Sequence, residues 1–296
     1  MSAPNGKSPP SVAAQRQSSS LLIFILLVFA LAVPFWVIGE FVEFQLLPGL
    51  PFAAFAFVCP GLAALTLVRR DNGPAAARAL LARAFDYKRI ESKIWYAPML
   101  LLNPSIFVLS YGVLRFLGTS VPAPQLSALS TLALCALFFA SAAGEELGWS
   151  GYAIDPMQKR SGALQASIQL GGIWVLFHIV ALIQAHRSME WIGWWSLWSI
   201  SSRVILVWLY NNAGKSVFAT ILFHAMINVC WQAFPIHGSF FDPRVVGIIT
   251  TFVAIIASTA CRARARASCT GRDGRFGLAR PVPVQVSPNV GPGNPI

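Results

Sequence analysis

Charged side chains are scarce in this sequence of 296 residues. Asp, Glu, Lys and Arg together make up 11% of it, whereas a soluble domain carries about 25%. Too few polar side chains are therefore present to cover a surface that faces water, which excludes an ordinary soluble fold. The apolar classes supply 56% of the residues, so the sequence predicts an all-α, polytopic membrane protein.

Paired cysteines and one familiar metal motif are also missing. The five cysteines are Cys59, Cys135, Cys230, Cys261 and Cys269, an odd number that includes no Cys-x-x-Cys pair. They predict neither a disulfide framework nor a cysteine-based metal site. The His-Glu-x-x-His pattern of zincin metalloproteases does not occur, and that arrangement is excluded.

Long apolar runs, in contrast, occur along most of the chain. A helix needs roughly 20 mainly apolar residues to cross the hydrocarbon core of a bilayer. The runs that meet this rule predict a transmembrane bundle of about eight spans over 21–260, at 21–39, 48–68, 94–117, 126–143, 165–185, 192–210, 217–235 and 245–260. We expect residues 1–20 to be disordered, and 261–296 to form a basic tail whose Pro- and Gly-rich part, 271–296, is also disordered.

The first run also has features of a secretory signal sequence. Ala30, Leu31 and Ala32 fit an A-x-A cleavage site, and Lys7 and Arg16 precede the apolar stretch. The apolar character continues beyond Ala32, which favours an anchor that is not cleaved.

Basic residues are distributed unevenly among the connections between the runs. Segment 69–93 holds seven Lys and Arg residues, whereas 118–125 holds no charge at all. Because cytoplasmic loops carry an excess of Lys and Arg, 69–93 is predicted to be cytoplasmic and 118–125 external. Both termini are then cytoplasmic, and the Ala- and Arg-rich composition favours a bacterial cytoplasmic membrane. The basic stretches suit anionic lipid headgroups better than nucleic acid, so we expect the lipid bilayer and no nucleic acid among the partners.

A few polar residues interrupt the apolar spans of the central region. Glu145 and Glu146 end the fourth span, His178 lies in the fifth, and His224 and Asn228 lie on one face of the seventh. Ionisable groups inside a membrane cost about 2.5 to 3.5 kcal/mol each, so a bundle that keeps several is expected to use them. The alternative is that each is a polar residue of helix packing. Carboxylate, imidazole and carboxamide groups are those that hydrolysis of an amide requires.

Three short motifs, in this order, resemble the CPBP family of intramembrane proteases, which includes the type II CAAX prenyl proteases and bacteriocin-processing relatives. They are a Glu-Glu-x-x-x-Arg block aligned with Glu145–Ser150, the histidine that follows Phe177, and a His-x-x-x-Asn block at His224 and Asn228. The likeness covers about 126–235. It implies an intramembrane endopeptidase that hydrolyses a peptide bond of a membrane-associated peptide or protein, and we expect this substrate at the cytoplasmic leaflet.

The resemblance also implies a role for each of these side chains. Glu145 would activate the attacking water together with His178, His224 and Asn228 would stabilise the oxyanion, and Glu146 would orient the site. The family is commonly labelled a metalloprotease, and a glutamate-dependent mechanism without a metal is the competing view. Glu145, His178 and His224 are candidate ligands for zinc, as two imidazoles and one carboxylate with an open position for water.

One position departs from the family pattern. Ser150 stands where the arginine of the first motif is expected, and a hydroxyl cannot replace the charge of an arginine beside Glu146. Arg203 in the sixth span and Arg115 near the end of the third are the two candidates to replace it.

The departure at Ser150 keeps alternative functions open. A nonproteolytic membrane scaffold or immunity protein on the same fold is the first, and a proton-coupled transporter is a weaker one. Gly148–Gly151 also resembles the Gly-x-Ser-Gly block of rhomboid serine proteases, in which a histidine activates the serine. In rhomboids, however, the His-x-x-x-Asn block precedes the serine, whereas here it follows.

Overall fold

The computed structural model describes residues 12–125 and 127–273, with the side chains of 20–125 and 127–259. The chain divides into two compact units, 1–258 and 259–296, and the helical bundle belongs to the first. The predicted all-α class is confirmed, since helices make up most of the described chain. They are α1 (Val12–Phe41), α2 (Cys59–Ala82), α3 (Tyr96–Phe116), α4 (Ala128–Gly148), α5 (Ile154–Gln184), α6 (Met189–Asn212), α7 (Val217–Ala233) and α8 (Pro243–Asp273).

Shorter elements join some of these helices. An antiparallel hairpin of β1 (Gln45–Leu47) and β2 (Leu50–Pro51) follows α1 and leads into a 3₁₀ helix, Phe52–Val58. A π-helical turn, Trp149–Ala153, connects α4 directly to α5. Within α5, Gly162 has a φ of 76°, a left-handed conformation that glycine adopts without strain and that breaks the helix there.

Several of these helices are long and apolar enough to cross a membrane. Among the described residues they are Ser20–Phe41, Phe52–Phe85, Lys93–Phe116, Ala128–Gln184 and Met189–Asn212. Shorter apolar helices at Val217–Ala233 and Pro243–Thr259 lie where the last two spans were predicted. The chain is a multi-pass helical membrane protein, and its predicted total of eight crossings stays a prediction.

The terminal segments differ in part from what the sequence led us to expect. Helix α1 begins at Val12, inside the segment predicted to be disordered, and α8 continues to Asp273 inside the predicted tail. The remainder of those two predictions, at 1–11 and 274–296, lies outside the described residues. Ala32 is fully buried in α1, a helix that packs against α2 and α5, and the absence of cleavage there stays a prediction.

Glycines allow α4 to lie close to α2 and to the 3₁₀ helix that precedes it. A Cβ atom added at Gly144 would lie 2.9 Å from the carbonyl oxygen of Phe57, and one added at Gly148 would lie 2.4 Å from that of Pro60. Any larger residue would therefore push the helices apart. These two glycines flank Glu145 and Glu146, so the close contact fixes the position of both carboxylates.

An aspartate from a distant loop caps the helix that carries His224. Asp86, in the connection after α2, accepts hydrogen bonds from the Ser216 hydroxyl at 2.6 Å and from the backbone N–H of Phe218 at 3.0 Å. A carboxylate at this position satisfies unpaired donors of the first turn and favours the positive end of the helix dipole. The start of α7 is thus held by a loop more than 100 residues earlier in the chain.

Candidate active site

The two adjacent glutamates lie where α4 passes into the π-helical turn. Both are buried, Glu146 completely and Glu145 with 5% of its surface exposed. Single π-helical turns inside α-helices occur often at functional sites, because the extra residue redirects the side chains that follow. Adjacent residues on a helix point about 100° apart, so the two carboxylates have different surroundings.

Two indole groups hold the carboxylate of Glu145. The same oxygen, Oε2, accepts a hydrogen bond from Trp174 Nε1 at 2.6 Å and one from Trp149 Nε1 at 3.2 Å. The other oxygen, Oε1, faces Nε2 of His178 across 3.9 Å. That distance is too long for a direct hydrogen bond. We refer to Glu145, Trp149, Trp174 and His178 as the Glu145 side of the site.

The tautomer of neutral His178 follows from its other ring nitrogen. Nδ1 lies 2.8 Å from the backbone carbonyl oxygen of Trp174, which can only accept, so Nδ1 carries the proton and donates it. Nε2 is then an acceptor that faces the carboxylate oxygen Oε1 of Glu145. Two acceptors 3.9 Å apart repel each other unless a donor lies between them. The gap is wide enough for a water molecule, which could lie about 2.8 Å from each acceptor and direct one O–H to each.

The carboxylate of Glu146 is fully paired. Arg203 Nη1 donates to both of its oxygens at 2.9 Å, and Nδ1 of His224 lies 2.9 Å from Oε1. The Ser150 hydroxyl donates to Oε2. Glu146, Ser150, Arg203 and His224 form what we refer to as the Glu146 side of the site.

Arg203 is therefore the cation that pairs with Glu146 in this chain. It is fully buried on α6, whereas Arg115 is exposed at the end of α3 and donates to the carbonyl of Val121. Of the two candidates, Arg203 lies at the site. Ser150, which stands at the arginine position of the motif, hydrogen-bonds to Glu146, and the described residues contain no bond from it to a histidine.

Trp174 links the two sides. Its indole N–H reaches Glu145, and its carbonyl oxygen accepts from His178. The guanidinium carbon of Arg203 lies 4.3 Å from the centre of its ring, a cation–π contact. The edge-to-face contact with the ring of His224 has a centroid distance of 5.1 Å. Trp174 and Trp149 were missed in the sequence analysis, because a tryptophan in an apolar span has the pattern of an ordinary packing residue.

Glu145, His178, His224 and Asn228 line one cavity of about 160 Å³. Its walls are mainly aromatic and apolar, with Trp174, Trp195, Trp198 and Trp231 among them. Asn228 is half-buried, and its side chain makes no hydrogen bond to another described residue. The structure thus brings the predicted residues of three helices together, with Glu146 behind His224.

The candidate zinc ligands do not form a metal-binding group. The described residues contain no cluster of three His, Cys, Asp or Glu side chains that could hold an ion. Oε2 of Glu145 already accepts two N–H groups, which leaves only Oε1 as a ligand from that residue. The donor set therefore does not fit a zinc site of two imidazoles and one carboxylate.

The protein is thus a helical membrane bundle in which a buried carboxylate, two histidines and a carboxamide surround one cavity. Residues 127–230 match the family model described as type II CAAX prenyl endopeptidase Rce1-like. The chain is also similar to CAAX prenyl protease 2 of Methanococcus maripaludis, with 28% identity over 231 residues that cover 70% of this chain and 82% of that protein. Both similarities agree with the resemblance to the CPBP family of intramembrane proteases that the sequence motifs indicated.

Proposed function

We propose that this protein is an intramembrane endopeptidase in which Glu145 and His178 activate a water molecule to hydrolyse a peptide bond of a membrane-associated peptide or protein. The observation that carries the proposal is the pair of facing acceptors, Glu145 Oε1 and His178 Nε2, at 3.9 Å on the wall of the cavity. A water held between them has both hydrogens engaged and a lone pair directed away from them. This is the arrangement that general-base attack requires.

Glu145 first accepts a proton in this reaction and then gives it up. When the water oxygen bonds to the carbonyl carbon of the substrate, its proton passes to Oε1 of Glu145. The same proton then moves to the nitrogen of the leaving amine as the C–N bond breaks. His178 keeps Nδ1–H on the carbonyl of Trp174 throughout and orients the water through Nε2.

Asn228 and His224 are proposed to stabilise the oxyanion. The amide of Asn228 lines the cavity and carries N–H donors that no described residue engages. The Glu146 carboxylate, which His224 shares with Arg203, orients the imidazole ring, and with both ring nitrogens protonated Nε2–H would donate to the developing charge. Since the side chains present do not fit a zinc site, the proposal routes no step through a metal.

Replacement of the proposed base tests the function directly. We expect Glu145→Gln to lower peptide cleavage by about 100- to 10,000-fold, because the amide keeps the shape and the indole bonds but cannot take a proton. His178→Ala should also lose peptide cleavage. Glu43→Gln, at an exposed glutamate after α1, is the matched control and should cleave like the parent. The assay uses the full chain in detergent, a fluorogenic peptide library and a thermal unfolding measurement for each variant.

Two results would contradict the proposal. If the parent and Glu145→Gln cleave equally, Glu145 is not the base. If the folded parent cleaves no member of the library, the scaffold alternative, a member of the same family without turnover, takes its place.

A further inference from the structure

Contacts between chain segments define two ends of the bundle. At one end, Arg83 donates to the carbonyl oxygens of Gly151 at 3.1 Å and Lys215 at 2.7 Å. The Ser20 and Tyr152 hydroxyls are 2.6 Å apart at the same end. The start of the membrane part of α1, the end of α2, the π-helical turn and the α6–α7 connection therefore meet there. We refer to this as the basic end.

The other end of the bundle is defined by a second set of contacts. Gln184, the last residue of α5, donates to the carbonyl oxygen of Trp36 at 2.7 Å. Gln232, near the end of α7, donates to the carbonyl oxygen of Pro48 in the hairpin at 3.4 Å. The ends of α1, α5 and α7 and the β1–β2 hairpin thus lie together. We refer to this as the mouth end.

The active-site cavity extends to the mouth end only. Its lining begins at Glu145 and His224 and continues to residues of the hairpin and of the α5–α6 connection. These outer residues, the cavity mouth, are Leu46, Gly49, Leu50, Ala185, Arg187 and Trp191. Among the described residues, none of those that line the cavity belongs to the basic end.

The two ends differ sharply in charge. Residues 20–259 contain 14 Lys and Arg residues, and one of them, Arg203, lies in the middle of the bundle. Ten are on the side of the basic end, at Arg69, Arg70, Arg78, Arg83, Lys88, Arg89, Lys93, Lys159, Arg160 and Lys215. The mouth end has only three, Arg115, Arg187 and Arg244, against the four acidic residues Glu40, Glu43, Glu190 and Asp242.

We propose that the cavity mouth faces the non-cytoplasmic side of the membrane, so that the substrate segment reaches Glu145 from that side. Short loops rich in Lys and Arg stay in the cytoplasm, and an excess of ten over three assigns the basic end to it. The statement about the substrate rests on the proposed function, whereas the orientation of the cavity mouth does not depend on that function. It differs from the cytoplasmic-leaflet expectation, because the sequence alone did not reveal at which end the cavity opens.

The lining of the mouth indicates the chemistry of that segment. Trp191 at the mouth presents aromatic surface, as do Trp195 and Trp231 in the rest of the cavity lining, and Arg187 lies over the ring of Trp191 at 4.8 Å. An aromatic lining with little polar surface binds apolar side chains by burial. The occupant is therefore an apolar stretch of a membrane-anchored peptide at the point where it emerges on the non-cytoplasmic side.

Cysteine labelling in intact bacterial cells tests the orientation. The background is the full chain with its five cysteines replaced by alanine or serine. Glu43→Cys reports on the mouth end and Lys88→Cys on the basic end, and both positions are exposed. A membrane-impermeant maleimide should label Glu43→Cys in intact cells and Lys88→Cys only after permeabilisation. The reverse pattern, labelling of both in intact cells, or labelling of neither until lysis would each overturn the proposal.

A third variant connects the orientation to cleavage. Ala185→Cys places the thiol at the cavity mouth, and a bulky impermeant maleimide added from outside should lower cleavage at least tenfold relative to the same variant before labelling. Labelling without any loss of cleavage would show that the substrate enters elsewhere and would overturn the proposal. If the labelling pattern is as expected and no variant cleaves, the proposed function fails and the orientation stands. If the variants cleave normally and the labelling pattern is reversed, the proposed orientation fails and the proposed function stands.

Discussion

Glu145 and Glu146 are neighbours in the chain but lie in two regions with opposite electrostatic character. On the Glu146 side, a buried arginine, a histidine and a serine surround one carboxylate and satisfy both of its oxygens. On the Glu145 side, uncharged indole donors hold one oxygen, and the other faces the cavity. The comparison shows how two identical, adjacent residues come to differ: Glu146 is fully paired, and Glu145 keeps one oxygen open to the cavity.

The difference has a simple structural cause. Adjacent residues on a helix point about 100° apart, so Glu146 is directed toward α6 and α7 while Glu145 is directed toward α5. A fully paired carboxylate is a poor base, because its lone pairs are engaged by cations. Among the described residues, Oε1 of Glu145 has no cationic partner of this kind, so its hydrogen-bond donor must come from the cavity.

The largest effect should come from removing the charge partner on the Glu146 side. Arg203→Met leaves a fully buried carboxylate beside only His224 and Ser150, and breaking a buried ion pair costs about 3 to 5 kcal/mol of unfolding free energy. Thermal unfolding in detergent measures the loss. Arg115→Met, at the exposed arginine of α3, is the matched control and should change the free energy of unfolding by less than about 1 kcal/mol.

The arginine can also be returned to the position where the family has it. Ser150→Arg in the Arg203→Met background should restore part of the stability and of the cleavage, because it places a guanidinium one turn from Glu146. With Arg203 present, Ser150→Arg should bring no gain in cleavage. A double variant no better than Arg203→Met alone would show that the cation must approach from α6.

An intermediate effect is expected on the Glu145 side. Trp174→Phe keeps most of the ring packing and removes the N–H group that donates to Glu145 at 2.6 Å. The loss of one such bond, about 1 to 2 kcal/mol, should lower kcat roughly tenfold and leave KM nearly unchanged. Trp198→Phe is the control, since that tryptophan lines the same cavity and its Nε1 has no hydrogen-bond partner among the described residues. Equal kinetics for both variants would contradict an orienting role for Trp174.

The smallest effect should follow from Ser150→Ala. Glu146 keeps Arg203 and His224, so the free energy of unfolding should fall by about 1 kcal/mol. Cleavage measured on the same peptides should change by roughly threefold at most, which corresponds to less than 1 kcal/mol. Complete loss of cleavage in a folded Ser150→Ala protein would instead support a serine nucleophile of the rhomboid kind.

The sequence predicted the composition of the site better than its connections. Polar groups in apolar spans are costly, so Glu145, His178, His224 and Asn228 could be recognised from the sequence, and the structure places all four on one cavity. The roles assigned to them stay predictions. Arg203 could only be nominated, because whether an intramembrane arginine pairs inside the bundle or extends to the interface depends on helix packing. The indole donors of Trp149 and Trp174 depend on the π-helical turn, which no residue pattern indicated.

The cap that Asp86 places on α7 bears on how far the functional unit extends along the chain. The segment that matches the family, 127–230, contains every proposed reacting group, but the loop that fixes the start of α7 precedes it. His224 lies two turns beyond that cap. Its depth in the bundle therefore depends on Asp86, a residue outside the segment that matches the family model. A shortened chain that contained only residues 127–230 would keep the proposed reacting groups but lose Asp86, which caps α7. The smallest fragment that keeps this cap is therefore longer than the segment that matches the family model.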